Sequence, residues 1–164
     1  MNWAVDNKCE VISMSLGGPG QCSPPFEQAA ERALHAGCLF IVAAGNDSRR
    51  PAYIAPAEQP GNCQSVVSVA AVTEARQVAA FSCGGKVNIA GPGVNVFSTV
   101  PMPRRYGMLS GTSMATPHVA GVAALWAQSD QSMRGDKLRR LLQQNSEHMP
   151  FPATDVGAGL VQSP

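Results

Sequence analysis

Apolar and polar positions divide this chain into segments of two kinds. Cys38–Ala44 (CLFIVAA) is a nearly continuous apolar run, the mark of a strand covered on both faces, and Val66–Val72 (VVSVAAV) resumes the sheet. Upstream, Glu10–Leu16 (EVISMSL) alternates apolar and polar residues and stops at Gly17-Gly18, which predicts another strand. Between them, Ser23–Gly37 (SPPFEQAAERALHAG) predicts a helix, with Ser23 as its cap, Pro24 and Pro25 in its first turn and Gly37 at its end. Strand, helix and strand within about 35 residues form a right-handed βαβ unit, the building block of a parallel sheet.

Residues 3–7 (WAVDN) read as the tail of a helix, and Asn46–Ser65, polar and rich in proline, as a long loop. Short strands are predicted at Lys86–Ala90, Val94–Thr99 and Tyr106–Gly111, separated by Gly91-Pro92-Gly93 and by Pro101–Arg105. A helix from Thr112 to about Gln128 has a first half nearly free of charge and is therefore expected to be buried on most sides. Gly111, just before it, is expected to let the backbone turn sharply. Gly135–Asn145 sets Leu138, Leu141 and Leu142 against Lys137, Arg139 and Arg140, an amphipathic surface helix. With no internal repeat and no linker, residues 1–164 read as a single α/β domain, a three-layer αβα arrangement around a mostly parallel sheet.

Composition narrows the class. At 164 residues, 45% hydrophobic and 14% charged, the chain suits a compact, loop-rich globular domain rather than a disordered one. Lys plus Arg number 12 against 11 Asp plus Glu, so no global field draws nucleic acid or an anionic membrane. No apolar run reaches the length of a membrane span, and the N-terminus has no signal-peptide pattern. The five cysteines, Cys9, Cys22, Cys38, Cys63 and Cys83, form no C-x-x-C pair, which argues against zinc. Cys9 and Cys38 flank apolar runs and read as buried hydrophobes; a disulfide among the loop cysteines 22, 63 and 83 stays unassigned.

Candidate chemistry centres on Gly111–Gly121 (GTSMATPHVAG). Ser113 opens a helix, whose free N–H groups and positive dipole end suit a nucleophile facing a developing oxyanion. A Ser or Thr there also serves as a plain helix cap, and spacing does not separate the two. His118 is no base for Ser113: five helical residues amount to a rotation of about 140° and a rise of about 7.5 Å, so the side chains diverge. It reads instead as a packed helix residue. His35 falls at the end of a helix, where it suits the last carbonyls, and His148 lies in a Pro-flanked tail. Asn46, just past a buried strand, reads either as an oxyanion donor or as a turn residue after Gly45.

The motif GTSMATPHVAG resembles the nucleophile motif of the subtilisin-like serine proteases, the subtilases. ISMSLGG (residues 12–18) resembles that family's substrate-binding strand, VAAGN (residues 42–46) its oxyanion-hole motif, and residues 81–100 and 157–162 further family segments, all in the family's order. The resemblance runs from about residue 2 to 162 and implies a subtilisin-like α/β fold and serine endopeptidase activity. It implies Ser113 as nucleophile, Asn46 with the Ser113 backbone N–H as oxyanion hole, and Ser15, Leu16 and Gly17 as the edge that pairs with a peptide or protein substrate. Ala43, Ala44 and Gly45 are implied as one wall of the pocket for the residue before the scissile bond, and His118 as a structural histidine.

The family's Asp-Thr/Ser-Gly and His-Gly-Thr-His motifs do not occur here, and Asp6 is a poor substitute. The expectation is therefore the C-terminal part of a catalytic domain, lacking the N-terminal strands and inactive alone unless another polypeptide supplies Asp and His. A peptide-binding pseudoprotease is the alternative. The resemblance also implies secretion of the parent enzyme, and a calcium ion for which no acidic cluster offers a site. In the 56–66 loop (PAEQPGNCQSV), Glu58 reads as a solvated acid, with a preference for basic substrate residues as the other reading.

Overall fold

The computed structural model describes residues 2–164. Eleven elements follow one another: α1 (Asn2–Asp6), β1 (Val11–Met14), α2 (Pro24–His35), β2 (Leu39–Ala43), β3 (Val67–Val72), β4 (Ile89–Pro92), β5 (Val96–Thr99), β6 (Tyr106–Leu109), α3 (Thr112–Ser129), α4 (Asp136–Gln144) and α5 (Ala153–Val156). Strands β1 to β4 form one sheet in sequence order, every neighbouring pair parallel, while β5 and β6 make a separate antiparallel hairpin.

The period of two sorts the sheet's side chains into two cores. Leu39 and Ile41 of β2, with Val67, Val69 and Ala71 of β3, face α3 and α4, where Ala115, Val119, Ala123, Leu138 and Leu142 meet them. Phe40 and Val42 point the other way, onto Ala30 and Ala33 of α2, and Ala70 and Val72 pack with Val156 of α5. Helices on both faces of a parallel sheet give the three-layer α/β architecture, and every residue of β2 and β3 is buried. Edge strand β1 is only partly buried.

Several local expectations shift. Ser23 occupies the N-cap of α2 without a side-chain cap bond, and β4 begins three residues later than the start of the apolar pattern at Lys86. Lys86 itself turns inward, its Nζ donating to Val66 O at 2.8 Å and Asn88 Oδ1 at 2.8 Å. Gly111 has extended backbone and a Cβ there would make only ordinary contacts, so the turn into α3 does not need a glycine. The glycine that matters is Gly93: a Cβ would lie 2.7 Å from Ala71 Cβ and 2.8 Å from Gly111 O, where β3 and the start of α3 close in on the segment after β4. Of the cysteines, Cys22 and Cys63 are joined by a disulfide across 41 residues, while Cys9, Cys38 and Cys83 are free and only Cys9 of these is not buried. Closing a loop of that length stabilises the fold by about 2–4 kcal/mol.

Burial sets the alkaline stability profile. It pushes the Lys86 ammonium down to about 7, with Arg139 adding to the effect, and pushes the Cys38 thiol up to about 11. Between pH 7 and 9 the unfolded chain holds the Lys86 proton that the folded chain has lost, so stability rises with pH; above 9 the unfolded Cys38 thiol ionises first, which offsets the Lys86 gain, and the profile levels off. Urea unfolding from pH 6.5 to 10.5 is expected to show stability rising to about pH 9 and levelling off beyond it, and Lys86→Met is expected to remove the rising limb. A rise of the same size in that variant contradicts the assignment.

Candidate active site

Because β1 to β4 are parallel, their carboxyl ends open on one side, where ligands gather in such sheets. Ser15–Gly17 leave β1 there, Ala44–Asn46 leave β2, and Gly93 follows β4. The amide of Gly111 donates to Gly93 O at 2.8 Å, bringing the first turn of α3 to the same place.

The start of α3 is capped from another element. The Thr112 amide donates to Asn46 Oδ1 at 2.8 Å, the Thr112 hydroxyl donates to the same oxygen at 3.0 Å, and that hydroxyl accepts from the Gly45 amide at 3.2 Å. Both donors of Thr112 fix the carboxamide's orientation, so Asn46 Nδ2 is left facing outward with its two hydrogens. The local cap reading for Ser113 does not hold, since neither Ser113 nor Thr112 caps the helix with its own side chain. In the first turn, the Met114 and Ala115 amides donate to Gly111 O at 2.9 and 3.3 Å. Among the described residues the Ser113 amide has no acceptor, and neither does Asn46 Nδ2.

Ser113 is half-buried. Its carbonyl would ordinarily accept from residue 117, but Pro117 has no N–H. Ser15 Oγ takes that place, donating to Ser113 O at 2.8 Å, and so ties the exposed Ser15–Gly17 strand end to the turn that carries Ser113. Proline inside a helix is usually a fault; here it frees an acceptor for a contact 98 residues away in sequence.

No histidine reaches the Ser113 hydroxyl among the described residues. His118 is exposed, not packed, and its Nδ1 bonds to Met114 O at 2.8 Å on its own helix. His35 ends α2 exposed to solvent, and His148 follows α4. Cys83 lies under the loop, its sulfur accepting from the Asp47 amide at 3.3 Å, and burial pushes its thiol up, away from a thiolate nucleophile. The Cys22, Glu27 and Cys63 side chains are close enough to share an ion, but the disulfide occupies both sulfurs and Glu27 accepts from the Gln64 and Ser65 amides at 2.8 and 2.9 Å.

Ala43 and Ala44 are buried, as is Gly45, whose φ of +111° only glycine adopts without strain. Glu58, expected as a solvated loop acid, is half-buried instead: its amide donates to Ala44 O at 2.9 Å and its Oε1 accepts from the Asn46 amide at 3.4 Å. Thr112 and Glu58 are the two residues whose positions sequence reasoning did not give. Their partners lie 66 and 12 residues away, and no local periodicity reports such contacts.

Comparison with known proteins shows the family to which the chain belongs. The profile of the subtilase family matches residues 1–160. A thermostable alkaline protease of Halalkalibacterium halodurans is 41% identical over 99% of this chain and 43% of its own length. The major intracellular serine protease of Bacillus subtilis is 40% identical over 76% of this chain and 39% of its own. Among solved structures, a protease of Pseudoalteromonas arctica superposes with a TM-score of 0.80 at 37% identity, covering 93% of this chain and 48% of that one. The chain thus spans about half or less of the length of these relatives. The parallel sheet, the fold it shares with a solved protease and the match along nearly its whole length establish that this chain belongs to the subtilase family of serine proteases.

Proposed function

We propose that Ser113 is the nucleophile of a serine endopeptidase, attacking a substrate peptide carbonyl to form an acyl-enzyme that water then releases. The developing oxyanion accepts from the Ser113 amide and from Asn46 Nδ2. The observation that supports this is the pair of donors without an acceptor, the Ser113 amide and Asn46 Nδ2, at a helix start whose neighbouring amides are already engaged. Preorganised donors of this kind cost no reorganisation when charge appears. A pure peptide binder has no use for them, which favours the enzyme over a binding module.

The substrate backbone pairs along Ser15, Leu16 and Gly17, and its side chain before the scissile bond enters between that edge and Ala43–Gly45. The general base and its carboxylate partner come from residues outside this sequence, on an N-terminal half of the catalytic domain or a docked polypeptide. That portion is this chain's expected partner. By itself the chain carries negligible activity, because a serine hydroxyl without a base is a weak nucleophile at neutral pH. Secretion of the complete enzyme fits the disulfide and two relatives named as extracellular proteases, and no helix among the described residues is long and apolar enough to cross a membrane.

The test is labelling with a fluorophosphonate probe. The purified chain is expected to take up negligible label, and co-expression with a polypeptide carrying the two absent motifs is expected to give stoichiometric labelling at Ser113. Stoichiometric labelling of the chain alone, lost in Ser113→Ala, would overturn the claim of inactivity. A co-expressed complex that forms but never labels would overturn the nucleophile.

A further inference from the structure

We infer that Glu58 selects substrates with Lys or Arg immediately before the scissile bond. The inference rests on the proposed substrate groove and adds the charge of the pocket beside it.

Three segments meet at that place, and the 58–59 backbone joins the other two. The Glu58 amide donates to Ala44 O at 2.9 Å, while the Gly18 amide donates to Gln59 O at 2.9 Å and the Gln59 amide to Gly18 O at 3.0 Å. The Asn62 side chain adds a bond to Gly20 O at 2.9 Å, and the Cys22–Cys63 disulfide pins the loop beyond. The loop is therefore fixed to both walls rather than free in solvent.

The Glu58 side chain turns into the space between them. A Cβ on Gly45 would sit 2.6 Å from Glu58 Oε1, and one on Gly17 would sit 2.9 Å from Glu58 Oε2. One carboxylate oxygen thus faces each wall, and the two bare glycines make the room. Oε1 accepts only a long bond from the Asn46 amide, at 3.4 Å, and no Lys or Arg pairs with this carboxylate among the described residues. The Arg50 guanidinium, on the same stretch of chain, is spent on Asp155 and Ser82 O. An anion held half out of water without a counter-ion strengthens its attraction for a cation and penalises an apolar group that would strip its remaining water. A basic side chain satisfies it; norleucine, with nearly the same length and no charge, does not.

The experiment uses the catalytically complete protein and matched peptide amides that differ only before the scissile bond: Arg, Lys, citrulline or norleucine. The kcat/KM for Arg and Lys is expected to exceed that for citrulline and norleucine by about 10- to 100-fold, the usual range for a charge-assisted pair. Glu58→Gln, nearly isosteric, is expected to bring the Arg to norleucine ratio close to one, and Glu58→Lys to turn preference toward Glu; far-ultraviolet circular dichroism and melting temperature verify that each variant is folded. A ratio near one in the unaltered protein, or one that Glu58→Gln leaves unchanged, overturns the role of Glu58 while the groove and nucleophile stand. Failure of every peptide to be cleaved, in protein that also fails to label at Ser113, overturns the groove reading and this inference with it.

Discussion

Ser113→Ala is expected to abolish fluorophosphonate labelling of the catalytically complete protein and to lower kcat by about 10⁶-fold, the loss known for the matching serine of the relative subtilisin and carried over from it rather than derived. The physical reason is loss of the covalent path. Without the hydroxyl no acyl-enzyme forms, and residual cleavage depends on water placed near the remaining donors. The substitution removes one oxygen from a half-buried residue whose carbonyl still accepts from Ser15, so the fold and the peptide edge are expected to survive. Pre-steady-state cleavage of an activated ester gives a second readout, a burst equal to the enzyme concentration that disappears in the variant. Retained peptidase activity with Ala at this position would mean that another group attacks the carbonyl.

Asn46 carries the next largest effect, and its two ends allow the contribution to be divided. Loss of the Nδ2 donor is expected to lower kcat by about 10²- to 10³-fold with little change in KM; that range too is the one known for subtilisin and is carried over from it. The Oδ1 end has a different duty, since it accepts the amide and hydroxyl of Thr112 at the start of α3. Asn46→Asp keeps an acceptor for Thr112 but replaces the donor with an oxygen, so it is expected to lose catalysis while keeping the melting temperature. Asn46→Ala removes both and is expected to lose about 1–2 kcal/mol of stability as well, the usual cost of an unsatisfied helix end. If Asn46→Asp melts as Asn46→Ala does, or if either variant keeps full kcat, the division between the two ends is wrong.

The alternation in residues 10–16, the unbroken apolar run 38–44 and the run 66–72, interrupted only by Ser68, correspond to β1, β2 and β3, in that order in one parallel sheet. They were legible because a strand buried between two helical layers has no polar face, and because a parallel pair needs a connection long enough to hold α2. The amphipathic α4 was legible for the same kind of reason, with Leu138 and Leu142 fully buried. The start of β4 was not, since Lys86 and Asn88 are turned inward by hydrogen bonds that sequence does not display.

Sequence by itself determined the elements, the family resemblance and the exclusion of His118 as base, all of which depend on order and spacing along one chain. Tertiary structure alone decided that Cys63 pairs with Cys22 and that Asn46 turns its oxygen inward and its amide outward. It also decided that Pro117 leaves Ser113 O for Ser15, and that Glu58 lies against two glycines instead of in open solvent. Each of these joins residues from separate segments that meet only where parallel strands end together. Such contacts are set by sheet register and loop closure, and neither leaves a periodic trace in the residues concerned.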